Sequence, residues 1–146
     1  MWKSLLLQAL ISSGSGAEPQ ITVPVQSSEV QHTIEAFVKG LVPKPGSALM
    51  IGLLDKDGEQ LQGKRVPVDR SVVLVRFDPV PAGTYAIRFF QDDNQNDKLD
   101  LGLFGIPKEG VGASNDARGF MAAPGLKDML FEVSGHKTLS MQVNYY

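Results

Sequence analysis

Near its C-terminus the chain reads Leu139-Ser140-Met141-Gln142-Val143-Asn144-Tyr145. Leu139, Met141, Val143 and Tyr145 alternate with Ser140, Gln142 and Asn144. A strict period of two describes a half-buried β-strand, because successive side chains point to opposite faces. The same period recurs upstream. Met129, Phe131 and Val133 alternate before the turn Ser134-Gly135-His136-Lys137. Tyr85, Ile87 and Phe89 alternate after Asp78-Pro79-Val80-Pro81-Ala82-Gly83, which is expected to turn the chain. Val73, Val75 and Phe77 share one face of residues 71–77, and Ile34, Ala36 and Val38 one face of residues 33–38. Residues 48–54 are a continuous apolar run closed by Asp55-Lys56-Asp57-Gly58, where Asp-Gly signals a turn. Strands separated by turn signals, with no convincing helix, predict an all-β fold. The expected architecture is a single antiparallel β-sandwich of about seven strands.

Composition narrows function more than it reveals it. The chain has 146 residues, enough for one domain, and a formal net charge of −2, which provides no basic face for nucleic acid. It has no cysteine, which excludes disulfides, zinc–thiolate sites and thiol catalysis. His32 and His136 are the only imidazoles. His136 falls in a predicted turn and His32 near the start of a strand, neither with a recognisable partner. Ser114, Ser134 and Ser140 have no nucleophile motif around them, since Gly112-Ala113-Ser114-Asn115-Asp116 lacks the last glycine of Gly-x-Ser-x-Gly.

The N-terminus has the layout of a secretory signal peptide. Lys3 is followed by the mostly apolar run Leu5-Leu6-Leu7-Gln8-Ala9-Leu10-Ile11, then by Ser12-Ser13-Gly14-Ser15-Gly16-Ala17. The expected division is a signal peptide over residues 1–17, a linker or loose edge segment over 18–31, and the β-sandwich domain over 32–146. Export to the periplasm or medium follows. No later stretch has the ~18 apolar residues of a membrane span. Cleavage would also remove Trp2, the single tryptophan, which weakens any carbohydrate-binding role.

Two polar constellations carry the candidate chemistry. In Asp92-Asp93-Asn94-Gln95-Asn96-Asp97-Lys98-Leu99-Asp100, four side chains fall at alternate positions suited to one cation. Asp92, Asn94, Asn96 and Asp100 occupy positions 1, 3, 5 and 9 of an EF-hand-like loop, with the Lys98 carbonyl at position 7. Calcium is the expected ion, because hard cations collect oxygen ligands. Position 12 is Leu103 and not the bidentate Glu, so a further ligand must come from elsewhere, with Glu109 and Asp116 as candidates. The alternative is a turn held by Asx hydrogen bonds alone. The second constellation is Ser114-Asn115-Asp116-Ala117-Arg118-Gly119, inside an irregular stretch over residues 101–127. Arg118, with Asn115 beside it, can clamp a carboxylate or phosphate of a ligand. It can instead pin the loop to Asp92, Asp93 or Asp116, a reading favoured by the loop's shortage of apolar anchors. Phe104, Ile106 and Phe120 are the expected anchors.

Taken in order, Pro81-Ala82-Gly83-Thr84-Tyr85-Ala86-Ile87, the acidic loop, Gly105-Ile106-Pro107-Lys108-Glu109-Gly110 and the 114–119 segment form a recognisable series. It resembles the bacterial secreted family called domain of unknown function 2141, over about residues 33 to 144. The resemblance implies a transthyretin-like or carboxypeptidase-regulatory-like sandwich in a Gram-negative envelope or secreted location. It implies no activity. Members usually carry Gly at the positions of Gln95 and Asp97. The transthyretin-like sandwich also hosts a urate-pathway hydrolase, but that family ends in Tyr-Arg-Gly-Ser, whereas this chain ends Val143-Asn144-Tyr145-Tyr146. The sequence therefore favours an exported, non-enzymatic binding or structural module, partnered by an envelope protein or small ligand. A small hydrolase using the acidic loop and Arg118, or a carbohydrate-binding module, is the alternative.

Overall fold

In the computed structural model, which describes residues 29–119 and 123–146, the alternating stretches form strands of two facing sheets. Strand β1 (Gln31–Lys39) turns Ile34, Ala36 and Val38 inward; β2 (Ala48–Asp55) contributes Leu49, Ile51 and Leu53. β3 (Gln60–Pro67) follows the Asp55–Gly58 turn, where the Asp55 carboxylate accepts the amides of Asp57 and Glu59. β4 (Val72–Pro81) and β5 (Gly83–Asp92) bring in Val73, Val75 and Phe77, then Tyr85, Ile87 and Phe89. Short strands β6 (Val111–Ala113) and β7 (Phe131–Val133) precede β8 (Lys137–Gln142).

One sheet has the order β4-β1-β8, and the other β3-β2-β5-β6, with β7 pairing β5 as well. β6 meets residues 88–90 of β5 and β7 meets residues 83–85, so the two share one edge of β5. The inward faces make the main core, in which Ile34, Leu49, Phe77, Ile87 and Met141 are fully buried. Burying a side chain of this size is worth ~1.5–3 kcal/mol, so the period-two residues supply the main folding drive. A smaller cluster of Leu54, Ala86, Ala113 and Met129 covers the opposite face of β2 and β5. That second layer explains why β2 is apolar throughout and not alternating.

The all-β sandwich matches the expectation, with three differences. β8 runs parallel to β1, so its sheet is mixed and not purely antiparallel. The turn expected over residues 78–83 is confined to Ala82, because β4 stays paired with β1 as far as Gln31 and Pro81. Met129, expected in a strand, closes the one-turn helix α1 (Leu126–Met129) before β7. The first described strand starts at Gln31. The proposed signal peptide and most of the linker lie outside the described residues, as does Phe120. Among the described residues, no helix is long and apolar enough to cross a membrane.

Candidate functional site

The acidic loop leaves the end of β5. Strand β5 sends Gln91 inward in register with Tyr85, Ile87 and Phe89, and both Gln91 and Asp92 are 0% exposed. Oδ2 of Asp92 accepts the amide of Asp97 at 2.9 Å, closing the loop on itself. The reversal needs left-handed backbone at Gln95 (φ 62°) and Asp97 (φ 58°). Glycine is the residue that adopts this conformation without strain, and neither position has it. The Oδ1 atoms of Asn94 and Asn96 accept the amides of Asn96 and Lys98 at 3.3 and 3.0 Å, two successive Asx turns. Both Asn side chains donate through Nδ2 to the Asp100 carboxylate. Glu109, 4% exposed, closes the base: Oε1 accepts the Asp93 amide and Oε2 the Asp100 amide, each at 3.1 Å.

One atom in this arrangement has no partner. Oδ1 of Asp92 is buried and accepts no hydrogen bond. A buried acceptor left unpaired costs ~1–3 kcal/mol, more when charged, so such atoms call for an explanation. Its companion oxygen is bonded into the loop, so the carboxylate is turned toward the Asn94–Asp100 segment. The same loop carries the carboxylates of Asp92 and Asp100, the side-chain oxygens of Asn94 and Asn96, each with a second lone pair, and the Lys98 carbonyl. All are hard donors, suited to calcium over softer metals. Among the described residues, no three or more His, Cys, Asp or Glu converge as a metal-holding group.

Glu109 does meet the loop, but it holds backbone amides and offers them both of its oxygens. Asp116 does not reach the loop, because its Oδ1 accepts the Gln142 amide of β8 at 2.9 Å.

Several supports were not legible beforehand. Gln91 donates through Nε2 to the Val42 carbonyl at 2.6 Å and to Asp93 Oδ1 at 3.0 Å; its Oε1 accepts the Val42 amide and the Tyr145 hydroxyl. A glutamine continuing the inward alternation of β5 was the available signal. Lys44 pairs with Asp93 at 2.8 Å, and that hydrogen bond raises the ammonium pKa above its usual value. Burial raises the Tyr145 phenol. Gly110 is required beneath that ring, since a Cβ there would lie 2.6 Å from Tyr145 Cε1.

The family model described as "Uncharacterized protein conserved in bacteria (DUF2141)" matches residues 50–141. The chain belongs to that family. No curated protein and no solved structure matches it. The DUF2141 range takes in β2 to β8 nearly whole, the acidic loop and the irregular stretch after it; β1 lies outside it.

Within the DUF2141 range the second constellation is held by polar staples. Ser114 is fully buried; its Oγ accepts the Ile87 amide at 2.9 Å and donates to the Met129 carbonyl. Its hydroxyl is therefore a tether between β5 and α1, closed to substrate. Asn115, in a left-handed conformation, spends its Nδ2 on the carbonyls of Asp128 and Leu130. Arg118 is exposed, and among the described residues it forms no ion pair with Asp92, Asp93 or Asp116. Pinning of the 101–127 stretch by Arg118 is thus corrected to pinning by Glu109, Ser114, Asn115 and Asp116. Of the expected apolar anchors, the two among the described residues also fail. Phe104 and Ile106 are exposed, because polar side chains bonded to backbone groups do the anchoring instead. His136 does find a neighbour, Glu35, at 3.6 Å on the outer face of the β4-β1-β8 sheet, where Glu35 also pairs with Arg76.

Proposed function

We propose that this DUF2141 domain is an exported, non-enzymatic β-sandwich module whose acidic loop takes a calcium ion, ordering the loop as a recognition surface for an envelope partner or small ligand. The observation that carries the calcium reading is the buried, unpartnered Oδ1 of Asp92. It lies in a loop whose Asx turns follow the alternation of a cation-binding loop. Asp92 and Asp100 supply charge, Asn94, Asn96 and the Lys98 carbonyl supply neutral oxygens, and water completes the shell. Arg118, exposed on the neighbouring loop, is the ligand-contacting residue, and Asn115, whose Nδ2 is committed to the Asp128 and Leu130 carbonyls, has only its Oδ1 to offer beside it. The export reading is supported by the charged start, apolar run and small-residue end of residues 1–17.

Two carboxylates and no bidentate Glu correspond to the weak extracellular class, with a dissociation constant of roughly 10⁻⁴–10⁻³ M. Free calcium at ten times that constant stabilises the fold by ~1.4 kcal/mol. For a domain of this size the melting temperature rises by roughly 3–5 °C. The test is a melt in EDTA, in millimolar calcium and in millimolar magnesium. Asp92→Asn and Asp100→Asn should each abolish the calcium increment. Asp92→Asn in EDTA should melt no lower than the parent, since it removes an uncompensated buried charge. Equal melts of the parent in EDTA and calcium would reduce the loop to an Asx-rich turn.

A further inference from the structure

Among the described residues, strand β4 pairs only with β1 and ends its sheet. The Ser71 carbonyl accepts the Leu41 amide at 3.1 Å on the β1 side, whereas the Arg76 carbonyl accepts the Lys64 ammonium of β3 on the other. Backbone groups of successive residues point to opposite edges of a strand, so Val72 and Leu74 turn their N–H and C=O groups to the open edge. Gln62 of β3 donates to the Pro79 carbonyl at 3.3 Å, so β3 side chains cover the edge from Arg76 onward and leave Val72 and Leu74 bare. A groove of ~440 Å³ opens there, lined by Val66 and Pro67 of β3 and by Val72, Val73 and Leu74. Val72 and Leu74 are 40% and 42% exposed, and Val72-Val73-Leu74-Val75 carries none of the charges that guard the edge of β3.

The chain itself holds a segment of matching pattern. Outside the described residues, Ile21-Thr22-Val23-Pro24-Val25 sets Ile21, Val23 and Val25 on one face and Thr22 and Pro24 on the other. β1 starts at Gln31 opposite Pro81, the end of β4, so a segment running back along β4 lies parallel to it. From Pro81 to Val73 is ~26 Å along the strand, and crossing β4 adds two strand spacings, for ~28 Å in all. The chain from Ile21 to Gln31 reaches ~33–36 Å. Parity then fixes the arrangement. Pro24 has no N–H, so its position must face solvent, and the amides of Ile21, Val23 and Val25 point at β4. In a parallel ladder this sets Ile21 beside Val73 and Val23 beside Val75, apolar side chains toward the core, with Thr22 beside Leu74 on the outer face. A shift by one residue would lose both the proline's place and the apolar face.

We propose that residues 21–25 dock as a further edge strand parallel to β4, closing that edge to strands of other chains, a role that rests on neither the calcium nor the export reading. The Ile21 amide donates to the Val72 carbonyl, the Leu74 amide to the Ile21 carbonyl, and the Val23 amide to the Leu74 carbonyl. Amide hydrogen exchange on the full chain tests this. The Leu74 amide should be protected in the parent. Val23→Pro, which removes a donor aimed at β4, should cut that protection about tenfold, the worth of one backbone hydrogen bond. Thr22→Pro, whose N–H faces solvent, should leave it unchanged. Because the chain has no cysteine, Thr22→Cys with Leu74→Cys gives a second reading: mild oxidation should close an intramolecular disulfide. Thr22→Cys with Ser140→Cys, on β8 at the other end of the sheet, should not close. A freely exchanging Leu74 amide in the parent, equal effects of the two prolines, or equal closure with Ser140→Cys overturns the proposal. Protection or cross-linking that rises with protein concentration overturns it too, assigning the edge to a second copy of the chain.

Discussion

Replacing Glu109 with alanine should be among the most damaging single changes near the acidic loop. The carboxylate is 4% exposed and accepts the amides of Asp93 and Asp100, each at 3.1 Å, so one side chain ties both ends of the loop. A hydrogen bond to a charged acceptor contributes ~1.5–3 kcal/mol. The two share one carboxylate, and removing it also releases that group's desolvation cost, so the net loss is ~2–4 kcal/mol. For a domain of this size that lowers the melting temperature by roughly 6–16 °C. Urea unfolding in EDTA measures the loss free of any cation. Amide hydrogen exchange locates it: the Asp93 and Asp100 amides should lose protection, while Ile87, deep in β5, should change only with global stability. A loss below ~0.5 kcal/mol, the range of an ordinary surface substitution, would refute the assignment of Glu109 as the loop's clasp.

Two further outcomes follow from the same geometry. Gln95→Gly should stabilise the domain by ~0.5–1 kcal/mol in urea unfolding, since the left-handed backbone at φ 62° costs a non-glycine residue ~1–2 kcal/mol. Part of that gain is offset by losing the Gln95 side chain, which lies over Gly46; a destabilised variant would refute it. In an ultraviolet titration, Tyr85 and Tyr145 should ionise above the ordinary phenol value, because burial raises both. Raised phenols contribute stability that is complete below ~10 and is lost as pH climbs through their folded values. A single transition at the ordinary value would contradict this.

The strands that were legible are those with one apolar face: β1, β4, β5 and β8 alternate because one side meets the core. β3 was not, because Gln60, Gln62, Lys64 and Arg65 leave it no apolar face. It is an edge strand, fixed by main-chain pairing to β2 after a tight turn, and its lysine and arginine protect the free edge. The irregular stretch after Leu101 was misjudged for a related reason. Its anchors are Ser114, Asn115 and Asp116 bonded to backbone groups, and such contacts have no sequence period. The oxygen-bearing positions of the acidic loop were readable from spacing. That Asp92 would be buried with one oxygen unpartnered was not. It depends on Gln91 stapling the Val42 segment and Glu109 closing the loop from seventeen residues downstream of Asp92.

The most direct test of the calcium reading is a titration of the isotopically labelled chain with calcium, followed by amide resonances. The amides bonded to the proposed ligands, those of Asn96, Asp97 and Lys98, should shift saturably with a dissociation constant of roughly 10⁻⁴–10⁻³ M. Asp92→Asn should remove the response. Resonances that stay in place, or that move equally with magnesium, would contradict a calcium site built on Asp92.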